Sequence, residues 1–309
     1  MQRDPAPVIL FAYKRLPHTK ITVEALQRNP EAKDTDLWIF ADGARTEADR
    51  AEIEETRSYL RSIDGFRNIH LTERAENFGL SRSIITGVTE VLDKCGRAII
   101  VEDDIRTAPS FLHYMNRALD HFENDPRVQS VAAHGFPPHR LDVPEDYAYD
   151  VFACARASVW GWGTWRNRWL DVDWDMASAW KKRDKISDRA LEIAGRDLRR
   201  FIDKQLAGKL NSWDIPWSYD HCLKQRLCIT PVHSYVENIG LDGSGEHCGP
   251  TEEYRQDLDK AVAEPRFMAE AVSDPDIDEQ LRRFFRRKPA IPREIDRALR
   301  KFGLPMLFE

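Results

Sequence analysis

Ala98-Ile99-Ile100-Val101-Glu102-Asp103-Asp104-Ile105 decides the reading of this chain. Its apolar half is rich in β-branched residues and belongs in a strand buried on both faces of a parallel sheet. The carboxyl end of such a strand is where α/β folds place their ligands, so the three carboxylates emerge at the rim of a crevice. Acids gathered there call for a cation. Oxygen ligands suit Mg²⁺ or Mn²⁺, ions commonly held by one or two carboxylates together with substrate phosphates, and the chemistry implied is a metal that clamps a nucleotide diphosphate. The competing reading is a solvated acidic turn, which would set three adjacent acids against a buried strand for no purpose.

On the N-terminal side, strand and helix alternate. Val8 to Tyr13 is an apolar run, and a helix from Thr19 to Leu26 follows the break at Pro17. Leu37 to Ala41 reads as the second strand and ends at Asp42-Gly43; Glu47 to Ile63 is a charged amphipathic helix; Ile69 to Leu71 is a short strand. Ile84, Ile85, Val88 and Leu92 form a helical stripe within Ser81 to Asp93. The order β-α-β-α-β-α-β calls for a mostly parallel sheet with helices on both faces.

On the C-terminal side, Pro109 opens a helix through Phe111, Met115 and Leu119, and Val128 to Ala132 is the next strand. Gly135 to Tyr149, with three prolines and several acids, reads as a surface loop. Eight of the nine tryptophans lie between Trp160 and Trp217, so the second half is built differently from the first. Trp162, Trp165 and Trp169 would share one face of a helix. Trp165, Trp169 and Trp180 are expected to be buried, whereas Trp160 and Trp162, flanking Gly161, are expected to offer aromatic faces to a ligand. Asp171, Asp173 and Asp175 lack the Gly and Glu of a calcium loop and read as a solvated edge.

Composition bounds the function. A net charge of −6 over 309 residues argues against a nucleic-acid binder. No apolar run reaches a membrane-spanning length, and Met1-Gln2-Arg3-Asp4-Pro5 does not resemble a signal peptide, so a cytoplasmic protein is expected. Five scattered cysteines do not describe a disulfide framework. Near the C-terminus, Arg282, Arg283, Arg286, Arg287 and Lys288 surround Phe284 and Phe285. This segment is either a helix packed on the domain or a peripheral contact with the inner face of an anionic membrane.

Taken with Phe-Ala-Tyr-Lys-Arg at Phe11 to Arg15, Ala-Asp-Gly at Ala41 to Gly43, Asn-Phe-Gly-Leu-Ser-Arg at Asn77 to Arg82 and Gly-Trp-Gly-Thr-Trp at Gly161 to Trp165, the acid triplet resembles that of GT-A glycosyltransferases. The chain is similar to bacterial family 2-like sugar transferases and to the N-acetylglucosaminyltransferase that starts complex N-glycan branching. The resemblance implies a Rossmann-like GT-A domain over residues 1–248, with a nucleotide-sugar-binding half at 1–134 and a Trp-rich acceptor and catalytic half at 135–248. Residues 249–309 would be a helical, basic extension. It implies transfer of a hexosyl or N-acetylhexosaminyl group from a UDP-sugar to a glycan or lipid-linked acceptor, with Mn²⁺ or Mg²⁺ as cofactor.

Residue by residue, the resemblance makes Asp104 a metal ligand, Asp103 a ribose contact and Glu102 a support of the cluster. It makes Asp42 the uracil reader and places Arg15 near the base, with Asn77 and Arg82 in the segment that passes over the nucleotide. Asn77 and Arg82 are equally consistent with a helix start, Asn77 as its cap and Arg82 in water. His247, in the glycine-rich segment Asn238 to Cys248, would be the second protein ligand of the metal.

Asn211-Ser212-Trp213-Asp214-Ile215-Pro216-Trp217 supplies the remaining candidate. An inverting transferase needs a carboxylate to take the proton of the acceptor hydroxyl, and apolar flanks suit Asp214 to that task. The alternative is that Asp214 caps a helix in which Pro216 is an early residue. Two other functions share some of these features. A nucleotidyltransferase acting on a sugar phosphate also uses metal-binding acids, but Tyr13-Lys14-Arg15-Leu16-Pro17 is not a Gly-rich phosphate loop; a non-catalytic carbohydrate-binding protein explains the aromatics but not the acids. A zinc site from His221, Cys222, Cys228, His247 and Cys248 lacks any Cys-x-x-Cys pair.

Overall fold

The computed structural model describes residues 4–186, 188–244 and 250–285. In chain order the first half comprises β1 (Val8–Ala12), α1 (Leu16–Gln27), β2 (Asp36–Ala41), α2 (Arg50–Leu60), β3 (Asn68–Glu73), α3 (Gly79–Cys95), β4 (Arg97–Glu102), β5 (Ile105–Thr107), α4 (Phe111–Phe122) and β6 (Val128–Ala132). Then follow β7 (Val151–Cys154), β8 (Trp162–Trp165), α5 (Arg166–Trp169), α6 (Met176–Trp180), α7 (Asp188–Ala194), α8 (Arg196–Leu206), α9 (Asp214–Lys224), β9 (Leu227–Pro231), β10 (Val236–Asn238) and α10 (Pro275–Phe284).

Eight strands form one sheet in the order β3-β2-β1-β4-β8-β6-β9-β7. All run the same way except β8 and β7, which are antiparallel to their neighbours. The period of two in the strands divides the core between the faces. Val8, Leu10, Ile99 and Val101 meet Val23 and Leu26 of α1, Leu60 of α2 and the apolar face of α4. Ile9, Phe11, Ala98 and Ile100 meet Ile84, Val88 and Val91 of α3 and a layer of tryptophans. Pro17 sits in the first turn of α1 and opens that helix, where its missing N–H costs nothing, so the helix begins earlier than Thr19.

The tryptophan spacing proves not to be helical. Trp162–Trp165 is strand β8, inserted between β4 and β6, and only Arg166–Trp169 turns into a short helix. Trp162 and Trp165 therefore face opposite sides of the sheet: Trp162 joins Trp169, Trp213 and Trp217, and Trp165 lies on the α4 side. Between them Gly163 packs so closely that a Cβ would stand 3.0 Å from both the Ala98 carbonyl and Met115 Cε.

The described part of the C-terminal extension is integrated with the domain. Met268 and Ala271 join the main core, and Ile277 and Leu281 of α10 pack on Phe152 and Cys154 of β7. Phe284 and Phe285, expected at a membrane interface in one reading, lie edge-on against Phe136 at 5.7 and 5.8 Å. That contact corrects the membrane reading for these two rings; Arg286, Arg287 and Lys288 lie outside the described residues. Among the described residues no helix is long and apolar enough to cross a membrane.

Candidate functional site

The parallel strands deliver their carboxyl ends to one edge of the sheet. Phe11 pairs with Glu102, so the chain leaving β1 runs beside the acids that follow β4. There a single nitrogen of Arg15, Nη2, donates to Asp103 Oδ1 at 2.5 Å and to Asp104 Oδ2 at 2.7 Å. The Tyr13 N–H approaches Asp103 Oδ2 at 3.4 Å, and the Thr22 hydroxyl of α1 donates to the Asp103 carbonyl at 2.9 Å. The Asp103 and Asp104 side chains are 7% and 14% exposed. Burial opposes the Arg15 charge, but Asp103 and Asp104 outweigh it and hold the guanidinium above its usual range. Burial also raises the Asp103 carboxyl, against the pull of Arg15.

Glu102 differs from its two neighbours. Among the described residues its carboxylate has no hydrogen-bond partner, and burial, then the charges of Asp104, Asp103 and Asp214, push it up to about 8 while Arg15 pulls it down. Asp214 is thus within electrostatic reach of the triplet although it is remote in sequence.

A two-stranded ribbon of β5 and β10 brings the next loop over the acids. The Ile239 N–H donates to the Asp104 carbonyl at 2.9 Å, and the Asn238 side chain accepts from the Gly240 N–H at 2.9 Å. Gly240 lies so close that a Cβ would collide with Asp104 Oδ2 and stand 2.9 Å from Arg15 Nη1. Further along, His18 of α1 meets Asp242 at 3.2 Å and the Ser244 hydroxyl at 3.4 Å. His247, the expected second metal ligand, lies outside the described residues. Sequence reasoning missed the roles of Gly240, Thr22 and His18; the glycine-rich segment was the available signal for the first.

Asp42 ends β2 in a different environment. Its Oδ1 accepts from the N–H groups of Gly43 (3.0 Å) and Phe78 (2.9 Å), and its Oδ2 accepts from Gly79 (3.0 Å). The Asn77 amide donates to the Gly43 carbonyl at 2.9 Å, so Asn77 ties the turn to β2 and does not cap α3, whose cap residue is Phe78. Arg82 is exposed and places its guanidinium 3.8 Å from the centre of the Phe78 ring. The carboxylate expected to read a base is therefore occupied by the backbone that forms the start of α3.

Asp214 lies in the first turn of α9 and Trp213 is the cap residue, so Asp214 is not the cap. Its Oδ1 accepts from the Ser212 hydroxyl. Trp213, Ile215 and Trp217 are buried beneath it. Beside this turn a crevice of about 260 Å³ is lined by Ser81, Arg82, Thr86, Trp174, Asn211 and Ser212, among others. Trp160 is half-buried and edge-on to His134 (4.6 Å) and Tyr254 (5.4 Å). Trp162 is only 1% exposed and stacks on Trp213 at 5.1 Å, which corrects its expected role as a ligand platform.

Two residues of the zinc alternative, His247 and Cys248, lie outside the described residues. His221 is fully buried in α9 with its Nε2 3.4 Å from the Ser130 hydroxyl, and among the described residues no three His, Cys, Asp or Glu side chains are placed to hold an ion. Asp103 and Asp104, two carboxylates already gathered around one cation, instead fit an Mg²⁺ or Mn²⁺ ion that brings phosphate and water as its other ligands.

No protein-family model matches the chain, and no curated protein matches it. Among solved structures it is similar to the mannosyltransferase PcManGT from Pyrobaculum calidifontis in complex with GDP-Man and Mn²⁺. The identity is 14%, over 72% of this chain and 70% of that one, with a TM-score of 0.42. It is also similar to the galactosyltransferase LgtC in complex with donor and acceptor sugar analogs, at 13% identity and a TM-score of 0.31. That match covers 57% of this chain and 64%, just under two thirds, of the other.

Proposed function

We propose that this chain is a divalent-metal-dependent, inverting glycosyltransferase that moves a sugar from a UDP-sugar to a hydroxyl of a glycan or glycolipid. The observation that carries the reading is the set of acids at the end of β4, where Asp103 and Asp104 share the Arg15 guanidinium and Glu102 lies within the field of Asp214. Asp104 would hold Mn²⁺ or Mg²⁺ with the donor diphosphate and, as the resemblance implies, His247; Asp103, expected as a ribose contact, would join Asp104 as a further ligand because one nitrogen of Arg15 reaches both carboxylates. The ion, when bound, would neutralise charge developing on the leaving diphosphate.

The remaining steps belong to the chain's own side chains. Asp214 takes the proton of the acceptor hydroxyl as that oxygen attacks the anomeric carbon, and the bond to the diphosphate breaks on the opposite side. The Ser212 hydroxyl donates to Asp214 Oδ1 and orients the carboxylate. Asp42 acts through the backbone: by fixing the N–H groups of Phe78 and Gly79 it sets the start of α3, from which Ser81 and Arg82 line the crevice beside Ser212.

Release of free nucleotide from a panel of nucleotide sugars, with Mn²⁺ and with a chelator, tests the proposal. The expected result is metal-dependent UDP release, accelerated by an acceptor glycan, with an inverted anomeric product by NMR. Turnover that persists in chelator would overturn the metal's role, and retention of configuration would overturn that of Asp214. Pyrophosphate formed from a nucleoside triphosphate and a sugar phosphate would identify a nucleotidyltransferase. Sugar binding with no turnover of any donor would identify a binding protein.

A further inference from the structure

We infer that Arg15 is a built-in counter-cation of the acid pair: its guanidinium stands where a divalent ion would bridge Asp103 and Asp104, and it leaves them before the ion enters. The inference rests on the proposal that these acids are the metal ligands.

The geometry is that of a shared ligand, not of a peripheral ion pair. One nitrogen, Nη2, reaches both carboxylates, at 2.5 and 2.7 Å, and the two side chains it joins are largely withdrawn from water. Asp103 and Asp104 repel one another at the end of a buried strand unless a cation stands between them, and Arg15 supplies that charge. A divalent ion coordinated by the same oxygens would lie within a few ångströms of the guanidinium, and the two like charges exclude each other. Lys14, the neighbouring cation, is committed elsewhere, to Asp49 at 2.6 Å.

Arg15 is also built to move. Its backbone is fixed, because its carbonyl accepts the Thr19 N–H and the Thr19 hydroxyl, both at 2.9 Å, at the start of α1. Its side chain is 25% exposed and is long enough to swing while the helix stays still. A guanidinium released at this rim remains beside the incoming diphosphate, whose oxygens it can bind in a forked geometry. Metal and nucleotide should therefore bind cooperatively: the ion alone competes with Arg15, whereas the diphosphate gives Arg15 another partner.

Loss of the free-Mn²⁺ electron paramagnetic resonance signal on titration into protein measures this without any turnover. Arg15→Gln should bind Mn²⁺ about tenfold more tightly than wild type in the absence of nucleotide, and Arg15→Lys, which restores a cation, should return affinity toward wild type. Added UDP should tighten Mn²⁺ binding to wild type more than to Arg15→Gln. A folded Arg15→Gln, verified by circular dichroism, that binds Mn²⁺ no better than wild type would overturn the inference; Arg15→Met repeats the test if the glutamine variant does not fold. Should Asp104→Asn bind the ion as well as wild type, the acids are not its ligands and the underlying proposal fails instead.

Discussion

Two strand ends on the same edge of the sheet carry aspartates with opposite fates. At the end of β2, Asp42 is 7% exposed and receives three backbone N–H groups, two of them from residues that begin α3. At the end of β4, Asp103 and Asp104 share one nitrogen of Arg15, and Glu102 has no hydrogen-bond partner among the described residues. A carboxylate that accepts three fixed backbone donors is a fastening, since moving it would orphan buried N–H groups. Acids that share one side-chain nitrogen have capacity left for a ligand. The proposed function accordingly places chemistry at the end of β4 and architecture at the end of β2, although both read as rim acids in the sequence.

The largest effect that would separate the two is expected at Asp104. Asp104→Asn should reduce metal-dependent turnover by about 10³-fold or more, because it removes an anionic ligand from the ion that carries the leaving group. Its unfolding midpoint in guanidinium should barely move, since Arg15 keeps Asp103. Asp42→Ala should do the reverse, lowering unfolding free energy by about 2–4 kcal/mol as buried N–H donors lose a charged acceptor. Activity of the folded fraction of Asp42→Ala should fall much less than that of Asp104→Asn. A stable but inactive Asp42→Ala would break the comparison and restore Asp42 as a donor contact.

Asp214 sharpens the same contrast with a smaller effect. Asp214→Asn should lose about 10²-fold in turnover while UDP-sugar binding by calorimetry is retained, since the amide keeps the shape but cannot take the proton. A rate within tenfold of wild type would be too small a loss for a general base.

How much of this was legible in the sequence follows from what each residue depends on. The parallel half was readable because local period suffices there: Val8, Leu10 and Ile9, Phe11 alternate between two covered faces, and Ile84, Val88 and Val91 follow a helical stripe. β8 was misread because Trp162 and Trp165, which continue to Trp169 at helical spacing, fall in a strand whose two faces are both covered, and only neighbours β4 and β6 decide that. The acid triplet was visible as a candidate, but its partner Arg15 is brought to it by the register of β1 on β4. Asp42 was visible as an acid following β2, yet two of its three donors come from Phe78 and Gly79, whose approach no local pattern encodes.

His134 extends the comparison to a third strand end, because it follows β6 on the same edge. It is 4% exposed, its Nε2 is buried without a hydrogen-bond partner among the described residues, and burial pushes its pKa down to about 3. An unfolded histidine takes up a proton near pH 6.5, while this ring stays neutral in the folded protein until about pH 3. Between those values the unfolded state binds the extra proton, so acidification favours unfolding; the stability is intact above pH 6.5 and declines as pH falls. Each such ring contributes a slope of about 1.4 kcal/mol per pH unit within that window. His134→Phe cannot bind a proton in either state. The difference in unfolding free energy between wild type and variant, measured from pH 6 to pH 4.5, should therefore shift by about 1.4 kcal/mol per unit in favour of the variant as pH falls. Other titrating groups, Glu102 and His221 included, cancel in that difference. A flat difference would mean that His134 can be protonated in the folded state, which would move it from the company of Asp42 to that of the open acids at the end of β4.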